Sequence, residues 1–145
     1  MSADPDSLRQ MAAMMATGAP QAAALGFHLV SVEPGKGSIA APWREDLVGD
    51  PETGVIAGGV VTTLLDHTCG LAIVSNSTQR MPTATLDLRI DYMRAAKPRA
   101  GVTAEAHCYK VTRTIAFVRA QAWDDDPSDP IATAQAAFVL VGAPA

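Results

Sequence analysis

The chain has 145 residues, of which 48% are hydrophobic but only 5% aromatic, and a formal net charge of −4. That length predicts one domain, residues 1–145, with a core built of Ala, Val, Leu and Ile rather than of stacked rings. The acidic balance argues against a general nucleic-acid binder, and no run of about 18 unbroken apolar residues offers a membrane span.

Residues 1–6 read as disordered, and Asp6 or Ser7 can cap a helix over 7–17 with Leu8, Met11, Met14 and Met15 on one side. The Met- and Ala-rich run 11–24 has the composition of a secretory h-region. Asp4 and Asp6, however, precede it where a signal peptide carries positive charge. Cys69 and Cys108 are the only cysteines, which suits a reducing compartment, so the expected location is cytoplasmic.

After a short turn through 21–24, residues 27–33 read as a strand ending at Pro34-Gly35, with a hairpin partner from Lys36 or Gly37 to Trp43. The polar stretch 44–53, punctuated by Pro51 and Gly54, reads as a loop. Residues 58–75, GGVVTTLLDHTCGLAIVS, then form a helix with apolar residues on nearly every side, predicted to be wrapped by the rest of the chain. Residues 75–82 read as a loop. In the strand 83–93, Leu86, Leu88, Ile90 and Tyr92 alternate with Thr85, Asp87, Arg89 and Asp91. Strands over 102–112, 114–123 and 131–141 follow, with the charged hairpin DDDPSDP at 124–130. Strands in runs predict an antiparallel sheet of about six strands around one central helix, an α+β arrangement.

Asp66 is the residue that demands an explanation, because a carboxylate in so apolar a helix costs several kcal/mol unless it is paired or used. It shares a helix side with Thr62, Thr63, Cys69 and Gly70. Thr62 or Thr63 can hold it as a purely structural group, with Gly58-Gly59 merely a tight turn. Alternatively, the two glycines present unsatisfied backbone N–H donors at a helix N-terminus, where a carbonyl oxygen can approach closely. His67 points about 100° away from Asp66 around the helix, so it reads as a core or interface residue. His28, His107 and the cysteines show no metal-ligand spacing.

Seven of the eleven Lys and Arg residues lie between positions 89 and 119, against only Asp91 and Glu105 among the acids, which suits an anionic, phosphate-bearing ligand. Arg94, Lys97 and Arg113 flank turns and are the expected contacts; simple solvation of turn cations is the competing reading.

GVIAGGVVTTLLDHTCG, followed at a fixed interval by TATLDLRIDYMRAAKP, resembles the small acyl-CoA thioesterases of the hotdog fold in their phenylacetate-pathway (PaaI-like) branch. The resemblance covers roughly residues 20–141. It implies a sheet wrapped around the central helix, a homodimer or dimer of dimers, an acyl-CoA substrate and no separate cofactor. By resemblance Asp66 is the general base or nucleophile, with Gly58 and Gly59 as oxyanion donors. Thr85 takes the place of a Ser or Thr near the acid, and Asp50 lies in the loop where relatives carry a water-positioning Asn or Gln, one residue out of spacing. Strand parity puts Thr85 opposite the Leu face, so it is expected to help only across a subunit edge. The departure is Ala57, where relatives have His; its loss could instead mark an acyl-CoA binding or sensing protein without turnover.

Overall fold

The computed structural model describes residues 4–76 and 82–141. Asp4, rather than Asp6 or Ser7, caps the first helix. Its Oδ2 accepts the Ser7 N–H at 3.2 Å, and Pro5 at the helix start has no N–H to leave unsatisfied. Helix α1 (Pro5–Gly18) therefore includes residues expected to be disordered, while residues 1–3 lie outside those described. Its buried side is Leu8, Ala12 and Ala16, not the Met stripe, and Met14 is 74% exposed. The alanines let α1 lie close to β1 and the central helix, while Met15 reaches toward Gly70, where Cε would be 3.4 Å from a Cβ. The single turn α2 (Pro20–Ala24) follows.

Strands β1 (His28–Glu33) and β2 (Lys36–Ala41) form the expected hairpin. β2 stops at Ala41 because Pro42 has no N–H to offer a ladder. The stretch expected as a loop instead contains a 3₁₀ turn (Glu45–Leu47) and a narrow antiparallel ribbon of β3 (Val48–Asp50) and β4 (Val55–Ile56). Two and three residues are too few to leave a periodic signal. Helix α3 (Gly58–Asn76) follows at once, and then β5 (Thr83–Tyr92), β6 (Val102–Val111), β7 (Ile115–Trp123) and β8 (Ala132–Leu140). The loop expected at 75–82 falls mostly on residues 77–81, outside those described.

The six longer strands form one antiparallel sheet in the order β1-β2-β6-β7-β8-β5, as the α+β reading requires. α3 lies mainly over β6, β2 and β7, with lighter contact to β5 and β8. By length and composition alone α3 could cross a membrane, but its apolar bulk is spent on the sheet. Leu64, Leu65 and Leu71 are fully buried, each stabilising the fold by about 1.5–3 kcal/mol. Gly37 on β2 makes room for Leu71: a Cβ there would stand 2.7 Å from Leu71 Cδ2.

The helix is not wrapped all round. Gly58 and Gly59 are exposed, and Thr62, Thr63, Asp66 and His67 are only half-buried. By the three-and-four spacing of a helix these six residues form one open stripe beside β5. It exists because α3 is centred on the β2–β6–β7 side and leaves the β5 edge of the sheet uncovered.

Candidate active site

The open stripe is the floor of a groove whose two walls hold it in place. On one side β5 supplies two hydroxyls. Thr85 Oγ1 donates to Asp66 Oδ1 at 2.7 Å, and Tyr92 Oη donates to the Gly58 carbonyl at 3.0 Å, beside the Thr62 hydroxyl. Thr62 and Thr63 donate back to the carbonyls of Gly58 and Gly59 at 3.1 and 2.9 Å, so the first helical turn is fixed by side chains. On the other side Ala19, Gln21, Ala22 and Phe27 meet Thr63, Asp66 and His67 around a cavity of about 70 Å³.

Thr85 corrects the parity expectation. β5 pairs with β8 in a register that shifts between Thr85 and Asp87, so Leu86 is an inserted residue. Before the shift Thr85 stands opposite Phe138, and after it Leu88 and Ile90 stand opposite Ala136 and Ala134, all on the helix side of the sheet. A bulge reverses the alternation, which is why Leu86 is 64% exposed and Thr85 reaches Asp66 within its own chain. Tyr92 is the site residue that the sequence reading missed. Its signal was its place on the Leu88–Ile90 face of the strand leading away from Thr85.

The helix entrance is chemically open. Ala57 N–H donates to the Leu47 carbonyl and Val60 N–H to the Ala57 carbonyl, whereas the N–H groups of Gly58 and Gly59 have no partner among the described residues. A Cβ on Gly59 would meet nothing within 4 Å, so nothing in this chain's packing requires a glycine there. Ala57 itself packs on Gly49, where a Cβ would come 2.9 Å from the Ala57 Cα.

The remaining expected residues are placed as follows. Asp50 is exposed, and its carboxylate is engaged by its own turn, accepting the Glu52 N–H at 3.0 Å and the Thr53 hydroxyl at 3.1 Å. Arg94 makes a fork with Asp124, at 3.0 Å to Oδ2 and 2.7 Å to Oδ1, and Lys97 Nζ pairs with Asp125 at 3.0 Å. These two cations, expected to face an anionic ligand, instead pin the DDDPSDP loop. The pairing is long-range and therefore invisible to local charge counting. Arg113 is exposed in the β6–β7 turn, at the end of the sheet opposite Gly58. His67 Nε2–H donates to the Met15 carbonyl at 3.0 Å and its ring lies 6.0 Å from Phe27, consistent with a core residue that also borders the small cavity. Cys69 is fully buried, and burial pushes its thiol up to about 12, the opposite of an activated thiolate. A depression of about 430 Å³ lined by Arg89, Glu105, His107, Arg119 and others lies on the outer face of the sheet, away from Asp66.

Comparison with known proteins gives the family. The pattern of the thioesterase superfamily matches residues 53–131. A Halobacterium salinarum protein with an esterase name is 31% identical over 94 residues, 63% of this chain; the chain spans 61% of that relative's length. A Pseudomonas aeruginosa crystal structure superposes with a TM-score of 0.83 at 36% identity, covering 91% of this chain and 98% of that one. A mutant of the phenylacetic acid degradation protein PaaI from Thermus thermophilus gives 0.73 at 25% identity over 84% of this chain and 99% of that one. The chain belongs to the thioesterase superfamily, with the hotdog architecture of its PaaI-like branch.

Proposed function

We propose that the protein hydrolyses an acyl-CoA thioester to the free acid and coenzyme A. The observation that carries this reading is the Thr85–Asp66 hydrogen bond. It fixes one carboxylate oxygen of a residue on the open side of the helix, at whose entrance backbone N–H donors stand without a partner among the described residues. As general base, Asp66 takes a proton from water, whose oxygen attacks the thioester carbonyl carbon. The tetrahedral oxyanion sits on the Gly58 and Gly59 N–H groups and collapses with departure of the thiolate, which takes up the proton. As nucleophile, Asp66 would instead form a mixed anhydride that water then cleaves.

Distance along the helix argues for two copies. Gly58 and Asp66 are eight residues apart, about 12 Å at 1.5 Å per residue, too far to act on one carbonyl group. We therefore place the thioester between Gly58 of one subunit and Asp66 of another, in a homodimer or dimer of dimers. Support comes from β5, an edge strand carrying Leu86 and Tyr92 as exposed large side chains, with Met93 exposed just past its end.

Asp66→Asn, assayed for thiol release on a panel of acyl-CoAs, is expected to lower kcat by about 100-fold or more. Undiminished turnover would rule out both roles for Asp66. Ala57 favours a second reading, because it offers no side-chain donor where relatives have His: an acyl-CoA binding protein. That reading predicts saturable acyl-CoA binding with no thiol release by the unsubstituted protein.

A further inference from the structure

Away from the open stripe, but at the same end of the sheet as Gly58, Trp43, Glu45, Val48, Pro51, Gly54 and Arg99 line a cleft of about 290 Å³. Its two walls hang from one atom. Trp43 Nε1 donates to the Gly54 carbonyl at 2.8 Å, and the Arg99 N–H donates to the same oxygen at 3.0 Å. The guanidinium stands over the indole at 6.0 Å, the outer limit of a cation–π contact, against 4.1 Å for Arg119 on Tyr109. The exposed guanidinium is thus held only loosely on the Trp43 face, and a planar group that stacks there takes its place, with the cation beside it. Arg99 has no acidic partner among the described residues, in contrast to Arg94 and Lys97 in the same connection. It is also the one non-glycine among the described residues with a positive φ, 59°, a conformation that glycine would adopt without strain.

We propose that the Trp43–Arg99 cleft is the subsite for the nucleotide end of coenzyme A, with adenine stacked on the indole and a phosphate on the guanidinium. This rests on the acyl-CoA reading above. Glu45 at the cleft wall suits a base carrying an amino group, whose N–H donors it can accept, and keeps the phosphates to the Arg99 side. The position fits the length of the ligand. Gly54 precedes Gly58 by four residues, at most about 14 Å of chain, so the pantetheine arm can run along the β3–β4 ribbon to the helix entrance. The expected cations Arg94 and Lys97 are then loop anchors, and the phosphate contact is their neighbour Arg99.

The test is calorimetric titration of the full chain with coenzyme A, pantetheine and ATP, for the unsubstituted protein and for Arg99→Gly and Trp43→Leu. Coenzyme A should bind about tenfold or more tightly than pantetheine, and each substitution should weaken coenzyme A by about tenfold more than it weakens pantetheine. Arg99→Gly should not lower Tm, because glycine relieves the positive φ. Equal weakening of both ligands, no effect of either substitution, or no binding of coenzyme A would overturn the assignment. So would ATP bound as tightly as coenzyme A, which would make the cleft a general nucleotide site. Arg99-dependent coenzyme A binding by a protein that hydrolyses no acyl-CoA would keep this subsite and remove the hydrolase reading. Asp66-dependent hydrolysis insensitive to Arg99 would do the reverse.

Discussion

Two hydroxyls on one strand hold the two ends of the groove, Thr85 at Asp66 and Tyr92 at the Gly58 carbonyl. They make different predictions. Thr85→Val removes the donor to Asp66 Oδ1 without changing volume, so the carboxylate can rotate. A hydrogen bond to a charged group of this kind contributes about 1.5–3 kcal/mol, so kcat should fall about 10- to 100-fold with little change in KM, and Thr85→Ser should recover most of it. Tyr92→Phe loses a neutral hydrogen bond on a half-exposed side chain, and equilibrium unfolding in urea should report a loss of about 0.5–1.5 kcal/mol. Of these residues Asp66 was legible in the sequence, because a carboxylate in so apolar a helix stands out. The partnership with Thr85 was legible only by resemblance. Its geometry depends on the extra residue Leu86, and a bulge is a property of how two strands pair, which one strand's alternation does not encode.

At the scale of elements, the packing of α3 on β2 depends on the missing side chain at Gly37. A Cβ there would stand 2.7 and 2.8 Å from Leu71 Cδ2 and Cγ, in a layer where Leu71 is fully buried. Gly37→Ala should therefore destabilise the fold by about 1–3 kcal/mol, measured by chemical denaturation, through overpacking rather than loss of any contact. The long elements were readable because their patterns are long. α3 showed as a long run with apolar residues on nearly every side, and the ranges read for β6, β7 and β8 end within one residue of those observed. The ribbon of β3 and β4 was not readable, since three and two residues cannot show a period and Asp50 is spent on the turn between them. Likewise the open stripe on α3 could not be read from the helix: Thr62, Thr63 and Asp66 fix its polarity, but whether the sheet covers it depends on where the helix is centred.

At the scale of the molecule, one ion pair ties the β5–β6 connection to the β7–β8 loop. The Asp124 side chain is 0% exposed and Arg94 27% exposed, and the Arg94 guanidinium holds the Asp124 carboxyl well below the usual carboxylate range. Because the folded value lies below the unfolded one, the pair's contribution is fully present above the unfolded value, near 4, and is lost as pH falls toward the folded value. Unfolding midpoints should therefore begin to drop as pH falls below about 5 and keep dropping below about pH 3, and Asp124→Asn should flatten that slope while costing about 1.5–3 kcal/mol at neutral pH. The larger question is whether one chain makes a site. Gly58→Pro removes a donor at the first helical position, where proline is well tolerated, and Asp66→Asn removes the carboxylate. Each variant alone should be inactive. If the thioester lies between Gly58 of one subunit and Asp66 of another, co-refolding the two variants in equal amounts should restore about a quarter of normal thiol release, since half of randomly paired dimers carry one intact site of two. A mixture that forms dimers yet stays inactive on acyl-CoA would contradict the shared site.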